Sequence, residues 1–451
     1  MSDLLGKRAV VVGAGIGGLS MAGALAKYFE QVEIFERDRL TTSAASRSGT
    51  PQDRHLHGLL AGGLRALSEI FPGFEKDLAE AGAVSVRVAQ DYQYERPDVG
   101  VLPRRDFGLS VLCASRPLME LVVRRRAEAI ANVTLRPGCR VTEIVPASAD
   151  AGVHGIWFEA GQGLTETLEA DLVVDASGRG ALTLTLLDDL GWERPAVTEI
   201  GVDISYATAV VQIPANAVPD WSFLKTQADP PALALEAFVA PVEGGRWIVT
   251  IGNRGATTRP RTWDSFLEAS CSLITPTLYN VLCHAAPPDG IRHYGFPASS
   301  WKHFERLPRL PRGVLPVADA LCRFNPIYGQ GMSSAAKQAH LLQSMLRRAA
   351  AEPDPIAALQ AGFMTEVASV LETPWSMASR ADFAFPATRA ERPRNFAEAR
   401  QFEATLSRAA VADPVVHRAV TEVTHLLQPQ SRLREPDILQ RIEAVAPKVA
   451  A

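Results

Sequence analysis

A chain of 451 residues is longer than one hydrophobic core comfortably serves, so two intimately packed domains are expected. Hydrophobic residues at 47%, charged residues at 21% and a formal net charge of −4 describe an ordinary soluble globular protein, with no electrostatic case for nucleic acid or an anionic membrane. Five scattered cysteines (Cys113, Cys139, Cys271, Cys283 and Cys322) form no CxxC pair, which argues for reduced thiols and no metal site.

The N-terminus MSDLLGKR enters an apolar run almost at once, leaving no room for a signal peptide, and no apolar stretch reaches membrane-spanning length. A cytoplasmic location without an integral membrane segment is the expectation. Ala9 to Val12 reads as a buried parallel strand. Gly13, Gly15 and Gly18 follow in GxGxxG spacing, and a helical pattern continues to about Phe29. A second strand, Val32 to Phe35, ends in Glu36. Gly13 would permit the tight turn, Gly15 the approach of a pyrophosphate and Gly18 close helix–sheet packing. The helix N-terminus favours phosphate, and Glu36 would hold ribose hydroxyls, so FAD or NAD is favoured over NADP.

The polar segment after Glu36 reads as a loop carrying Arg47, Arg54, His55 and His57, leading into a helix from Leu59 to Ile70. A guanidinium here could contact cofactor while His55 and His57 border a substrate, or these side chains could only cap the helix. The HxH pair lacks an apparent third metal ligand. Val84 to Glu95 alternates like one half-exposed strand. Ser115 is a fitting N-cap for a helix from Arg116, itself a candidate for phosphate or ribose contact. Strands are expected at Val133 to Leu135 and Cys139 to Val145, then a hairpin of Gly155 to Ala160 with Leu164 to Leu168. Leu172 to Val174 is a buried strand ending in the turn Asp175-Ala176-Ser177-Gly178. From Thr198 to Arg309 no βαβ rhythm survives, and a largely antiparallel sheet with one helix near Thr262 to Leu273 is expected. Arg389 to Arg400, interleaved with Glu391 and Glu398, reads as a solvated stretch.

The run from Val314 to Ala336 carries a second constellation. A strand delivers Asp319, a loop carries Asn325-Pro326, and Gly329-Gln330-Gly331-Met332 opens a long helix whose N–H groups suit the negative charge of a reduced flavin. On these motifs the chain resembles the FAD-dependent monooxygenases of the para-hydroxybenzoate hydroxylase fold and their epoxidase and halogenase relatives. The resemblance implies an α/β protein: a Rossmann-like FAD-binding domain (1–83, 113–197 and 310–350), an inserted, mainly antiparallel substrate domain (84–112 and 198–309) and a helical C-terminal region (351–451). It further implies cofactor contacts from Gly13, Gly15, Gly17, Gly18, Glu36, Arg37, Arg54, Arg116, Val141, Asp175, Gly178, Asp319, Pro326, Gly329, Gly331 and Met332. Oxygen from O2 would reach a small organic substrate through a flavin C4a-(hydro)peroxide, with NADH or NADPH as reductant, directly or through a partner flavin reductase. Catalytic candidates are limited to His55 and His57.

The departures narrow the subclass. Ala318-Asp319 stands where many hydroxylases have Gly-Asp, and the turn Asp175-Ala176-Ser177-Gly178 replaces an Asp-Gly pair. Trp247 to Gly252 keeps only part of the halogenase WxWxIP segment. GTPQDRHLHGLL and TPWSMASRADFAFP resemble bacterial flavin epoxidases acting on polyketide polyenes, which makes epoxidation or hydroxylation of an apolar secondary metabolite the expectation. The alternatives are a flavin reductase or oxidase of an unsaturated substrate, a halogenase, or a binding protein without flavin chemistry.

Overall fold

The N-terminal apolar run forms β1 (Gly6–Val12) in the computed structural model, which describes residues 4–147, 152–255 and 259–445. Helix α1 (Ile16–Leu25) ends earlier than expected, because Phe29 already opens β2 (Phe29–Glu36). Helix α2 (Ala61–Ile70) is followed by an unanticipated α3 (Phe74–Glu80), then β3 (Val84–Arg87), β4 (Tyr92–Arg96), β5 (Gly100–Val101) and β6 (Ser110–Cys113). The single strand expected over Val84 to Glu95 is therefore two. Ala89, at φ +66°, turns the chain between them, and β3 pairs only with β6 while β4 enters a larger sheet. Helix α4 (Arg116–Glu128) begins as expected, with Ser115 Oγ accepting from Leu118 N. After it come β7 (Val133–Pro137), β8 (Arg140–Pro146), β9 (Val153–Ala160), β10 (Leu164–Glu169), β11 (Leu172–Asp175) and α5 (Ala181–Asp189).

The middle of the chain supplies β12 (Val197–Val211), β13 (Phe223–Thr226), β14 (Leu235–Val242), β15 (Arg246–Arg254), α6 (Trp263–Cys271), α7 (Thr277–Leu282) and β16 (Arg292–Lys302). It returns through β17 (Val314–Pro316), β18 (Cys322–Arg323) and α8 (Gly331–Ala349). The remainder is helical: α9 (Pro355–Phe383), α10 (Phe396–Ala412), α11 (Pro414–Thr424) and α12 (Pro436–Val445).

Two sheets position everything else. The first is parallel, in the order β17-β11-β1-β2-β7. Its central strands are buried on both faces, which is why they read as continuous apolar runs. One face carries α1, α4 and α8, and the other carries the antiparallel sheet β10-β9-β8. Gln360 of α9 donates to the carbonyls of Pro311 and Val314, covering the β17 end.

The second sheet has the order β18-β16-β12-β15-β14-β13-β4-β5 and is antiparallel apart from the β13–β4 pair. Its two faces follow from strand alternation. Ala207, Ala209, Leu224, Ala237, Val239, Val249 and Ile251 point one way, into a core closed by α6 and α7. Tyr206, Thr208, Phe223, Lys225, Phe238 and Thr250 point the other way, toward the first domain and α11. Trp247 lies on the α6 side, edge-on to Trp221 at 5.9 Å, so the partial halogenase-like segment does not put its indole in the cavity.

A cofactor cleft joined to an apolar cavity

Strand order reverses around β1, whose neighbours are β2 and β11, and open α/β sheets bind ligands at the carboxyl edge of such a point. Gly13 leaves β1 at φ +104°, and a Cβ on it would stand 2.7 Å from the Ala176 carbonyl oxygen. A Cβ on Gly18 would stand 1.9 Å from the carbonyl oxygen of Gly13. These two glycines are fixed by packing. Gly15 is different: a Cβ there meets nothing within 4 Å, and as N-cap of α1 it brings no side chain to the helix N–H groups. Gly17 faces Ala318, whose methyl group would be 2.9 Å from an added Cβ. Ala318 itself sits at φ +52°, held by a hydrogen bond from its N to Gln338 Oε1.

Glu36 is buried at the end of β2. Its carboxylate accepts from Ala14 N at 2.9 Å and Asp38 N at 3.0 Å, and Arg47 Nη1 lies 3.2 Å away. Arg47 also pairs with Asp38 and, through Nε at 2.8 Å, with Glu120; Arg116 Nη2 reaches the other oxygen of Glu120 at 3.4 Å. Arg47 and buried Arg116 thus share one acid beside the cleft, whereas Arg37 and Arg54 are exposed. Val141 packs its side chain among Val10, Phe35 and Phe158, away from open space. Asp175 is fully buried and spends its carboxylate on Ser177 and Thr183, pinning the turn over α5. Gly178, at φ +89°, faces open space in that turn.

The α8 side completes the cleft. Asp319 follows β17, half-buried, and accepts no hydrogen bond among the described residues. Burial raises its pKa against the opposing charges of Arg323, Arg116 and Lys302. Gly331 opens α8 with nothing within 4 Å of an added Cβ, Met332 packs against the main core, and buried Gln330 Oε1 has no partner among the described residues. The preceding loop is braced from behind. Asp382, near the end of α9, accepts from Asn325 Nδ2 at 2.9 Å, Tyr328 Oη at 2.7 Å and Arg254 Nη2 at 3.1 Å. Arg254 also pairs with Glu236, and Asn325 Oδ1 accepts from Tyr206 Oη at 3.2 Å. Two helix N-termini, uncapped by side chains, and an unsatisfied carboxylate therefore border one cleft. These residues fit FAD, whose phosphates, ribityl hydroxyls and ring carbonyls complement them.

The loop Pro326 to Gly329 is also a wall of a cavity of about 180 Å³, floored by Tyr206, Phe223, Phe238 and Thr250 of the second sheet. His55 and His57 both line it. The Nδ1 of His55 is 2.7 Å from Thr208 Oγ1, which in turn meets Thr250 Oγ1 at 2.7 Å. His57 Nδ1 donates to the His55 carbonyl oxygen at 2.9 Å, leaving Nε2 as an acceptor. Burial lowers the pKa of His55 to about 4 and that of His57 to about 3, the latter aided by Arg116, so both rings are neutral at physiological pH. Among the described residues no group of three or more His, Cys, Asp or Glu is placed to hold a metal ion, and no helix is long and apolar enough to cross a membrane.

Gly17 lies against Ala318, Glu36 against Ala14, and the histidine loop against Gly329 through Gly58. Asp382 lies in the segment TPWSMASRADFAFP and Glu120 one turn after Arg116, but neither carries a signal of its role, and for Lys225 the alternation of Phe223 and Lys225 in a short strand was the one available hint.

No family model matches the chain. Protein Rv3254 of Mycobacterium tuberculosis (strain ATCC 25618 / H37Rv) is 32% identical over 420 residues, spanning 90% of this chain and 87% of that protein. Among solved structures, p-nitrophenol 4-monooxygenase PnpA from Pseudomonas putida DLL-E4 superposes with a TM-score of 0.62 at 19% identity, covering 94% of this chain and 99% of that one. The flavin-dependent brominase Bmp2 superposes with a TM-score of 0.66 at 13% identity, covering 97% and 99%. The fold is the one these two enzymes share.

Proposed function

The chain belongs to the family of the mycobacterial protein Rv3254, and we propose that it is an FAD-dependent monooxygenase. It inserts one atom of O2 into a largely apolar organic substrate by epoxidation or hydroxylation, in secondary metabolism. The observation that carries this reading is the shared wall. Pro326 to Gly329 separates the cleft that suits a flavin from the aromatic-floored cavity, so a substrate there would lie beside the ring. PnpA, a monooxygenase by its name, shares the overall fold.

Bound FAD would supply the redox chemistry with oxygen; the remaining work belongs to the protein. Gly15 and the first turn of α1 would receive the pyrophosphate, with Gly13, Gly17 and Gly18 shaping the cradle. Glu36 would hold the adenosine ribose, and Arg116, Arg54 or Arg37 would neutralise phosphate charge. Gly178 and the backbone at Val141 would border the adenosine end, and Asp175 would fix its turn. Asp319 would accept from the ribityl hydroxyls, while Pro326, Gly329, Gly331 and Met332 would bring the α8 dipole to the ring. His57 Nε2, a neutral acceptor in the cavity, would orient a substrate hydroxyl. NADH or NADPH would provide electrons, directly or through a partner reductase.

The test is a visible absorption spectrum of purified protein supplied with FAD, before and after anaerobic addition of NADH or NADPH. Flavin bands that bleach support a self-sufficient monooxygenase, and bands that persist assign the reduction to a partner. Absence of flavin bands contradicts the proposal.

A further inference from the structure

The cavity holds one feature that an apolar substrate alone does not explain. Of the Lys, Arg, Asp and Glu side chains, Lys225 is the one represented among the described residues lining it. It sits on β13 with Tyr94 of β4 and Phe238 of β14 directly beside it in register, on the same face of the sheet. Its Nζ lies 4.9 Å from the Tyr94 ring centroid and 5.6 Å from that of Phe238. Among the described residues no carboxylate forms an ion pair with it, although acids and bases elsewhere in the second domain are paired, as Arg254 is with Glu236 and Arg96 with Asp98.

A half-buried ammonium held by two aromatic faces and the Tyr94 hydroxyl has no carboxylate counter-ion among the described residues. Lys225 also lines a second, larger cavity of about 420 Å³ between this sheet and α9 to α11. Tyr94, Leu102, Tyr328, Val420 and Thr424 are common to both spaces. The larger one is lined by Arg96, Arg254, Arg380, Arg400 and Arg434 against Asp98, Asp229, Glu236 and Glu403, which with Lys225 leaves a small excess of positive charge.

We propose that Lys225 is the counter-ion for an oxygen anion on the substrate, which is therefore an unsaturated apolar body carrying one carboxylate, enolate or phenolate. The apolar part lies on Phe223, Phe238 and Tyr206, beside the Pro326–Gly329 wall, and the anionic end reaches Lys225 at the junction of the two cavities. This deepens the monooxygenase reading and rests on it for the identity of the bound molecule as substrate, but the anion site itself requires no flavin.

The test is calorimetric titration of the purified protein with 2-naphthoate and with its methyl ester, in the wild type and in Lys225→Met and Lys225→Arg. The wild type is expected to bind the carboxylate at least tenfold more tightly than the ester. Lys225→Met should bring the two within threefold with ester affinity unchanged, and Lys225→Arg should keep the preference. Equal affinities in the wild type, a preference that survives Lys225→Met, or no binding of either probe would overturn the assignment. Flavin content read by absorbance in the same samples separates the two ideas: loss of FAD binding would refute the monooxygenase and leave the carboxylate preference standing.

Discussion

The glycines of the first turn do not share one task, and their surroundings separate them. An Ala side chain at Gly18 would be driven into the Gly13 carbonyl, a backbone atom that cannot give way, so Gly18→Ala is expected to destabilise the fold by about 3 kcal/mol in a denaturant melt. Gly15 faces open space, and Gly15→Val should leave the same melt within about 1 kcal/mol. The motif spacing in the sequence suggested these roles, and the contacts separate them. Ala318 was harder to read. It replaces the Gly of the Gly-Asp pair while the carboxylate of Asp319 remains, and the backbone there is left-handed, at φ +52°. Non-glycine residues hold that conformation at a cost, met here by the Gln338 hydrogen bond and the close fit of Gly17.

At the scale of elements, the long helix α9 does more than close the chain. Its Asp382 and the sheet residues Arg254 and Glu236 form a buried charge network that grips Asn325 and Tyr328, so three separate elements set the loop next to the cleft. Replacing Arg254 with Met leaves two buried carboxylates without their cation, and a loss of about 3–5 kcal/mol on denaturant unfolding is expected. A change below about 1 kcal/mol would show that the network is not what fixes the loop. Nothing in the sequence pointed to this, since residues 236, 254, 325 and 382 meet only after the second sheet has formed. The segment containing Asp382 stood out only by resemblance. Secondary structure was legible where an apolar run was continuous, as in β1 and β11, or where helical periodicity was long, as in α8. It failed over Val84 to Glu95, where one alternating run spans a turn at Ala89 and serves two sheets.

Across the whole molecule, the apolar cavity gathers four histidines from opposite ends of the chain. Burial lowers the pKa of His55, His417 and His425 to about 4 and of His57 to about 3. Two of the rings must be neutral to accept: His425 Nδ1 from Ala61 N, and His417 Nδ1 from Arg105. A histidine with a depressed folded pKa stays neutral while the unfolded chain takes up protons. Its contribution to stability is therefore complete above the unfolded pKa of about 6.5 and is lost as pH falls toward about 4. Each histidine costs up to about 2 kcal/mol by pH 5. Melting temperature is expected to fall steadily from pH 7 to pH 5, and replacing His425 with Gln should flatten that slope. A flat profile in the wild type would contradict the buried, neutral rings.

The proposed function places a flavin in the cleft between the N-termini of α1 and α8. The most direct measurement is an FAD titration of the wild type and of Gly15→Val, followed by visible absorbance after desalting. One FAD per wild-type chain is expected, and less than a tenth of that in Gly15→Val, whose unfolding curve is unchanged. A wild type that retains no flavin, or a Gly15→Val protein that retains it fully, would contradict that placement.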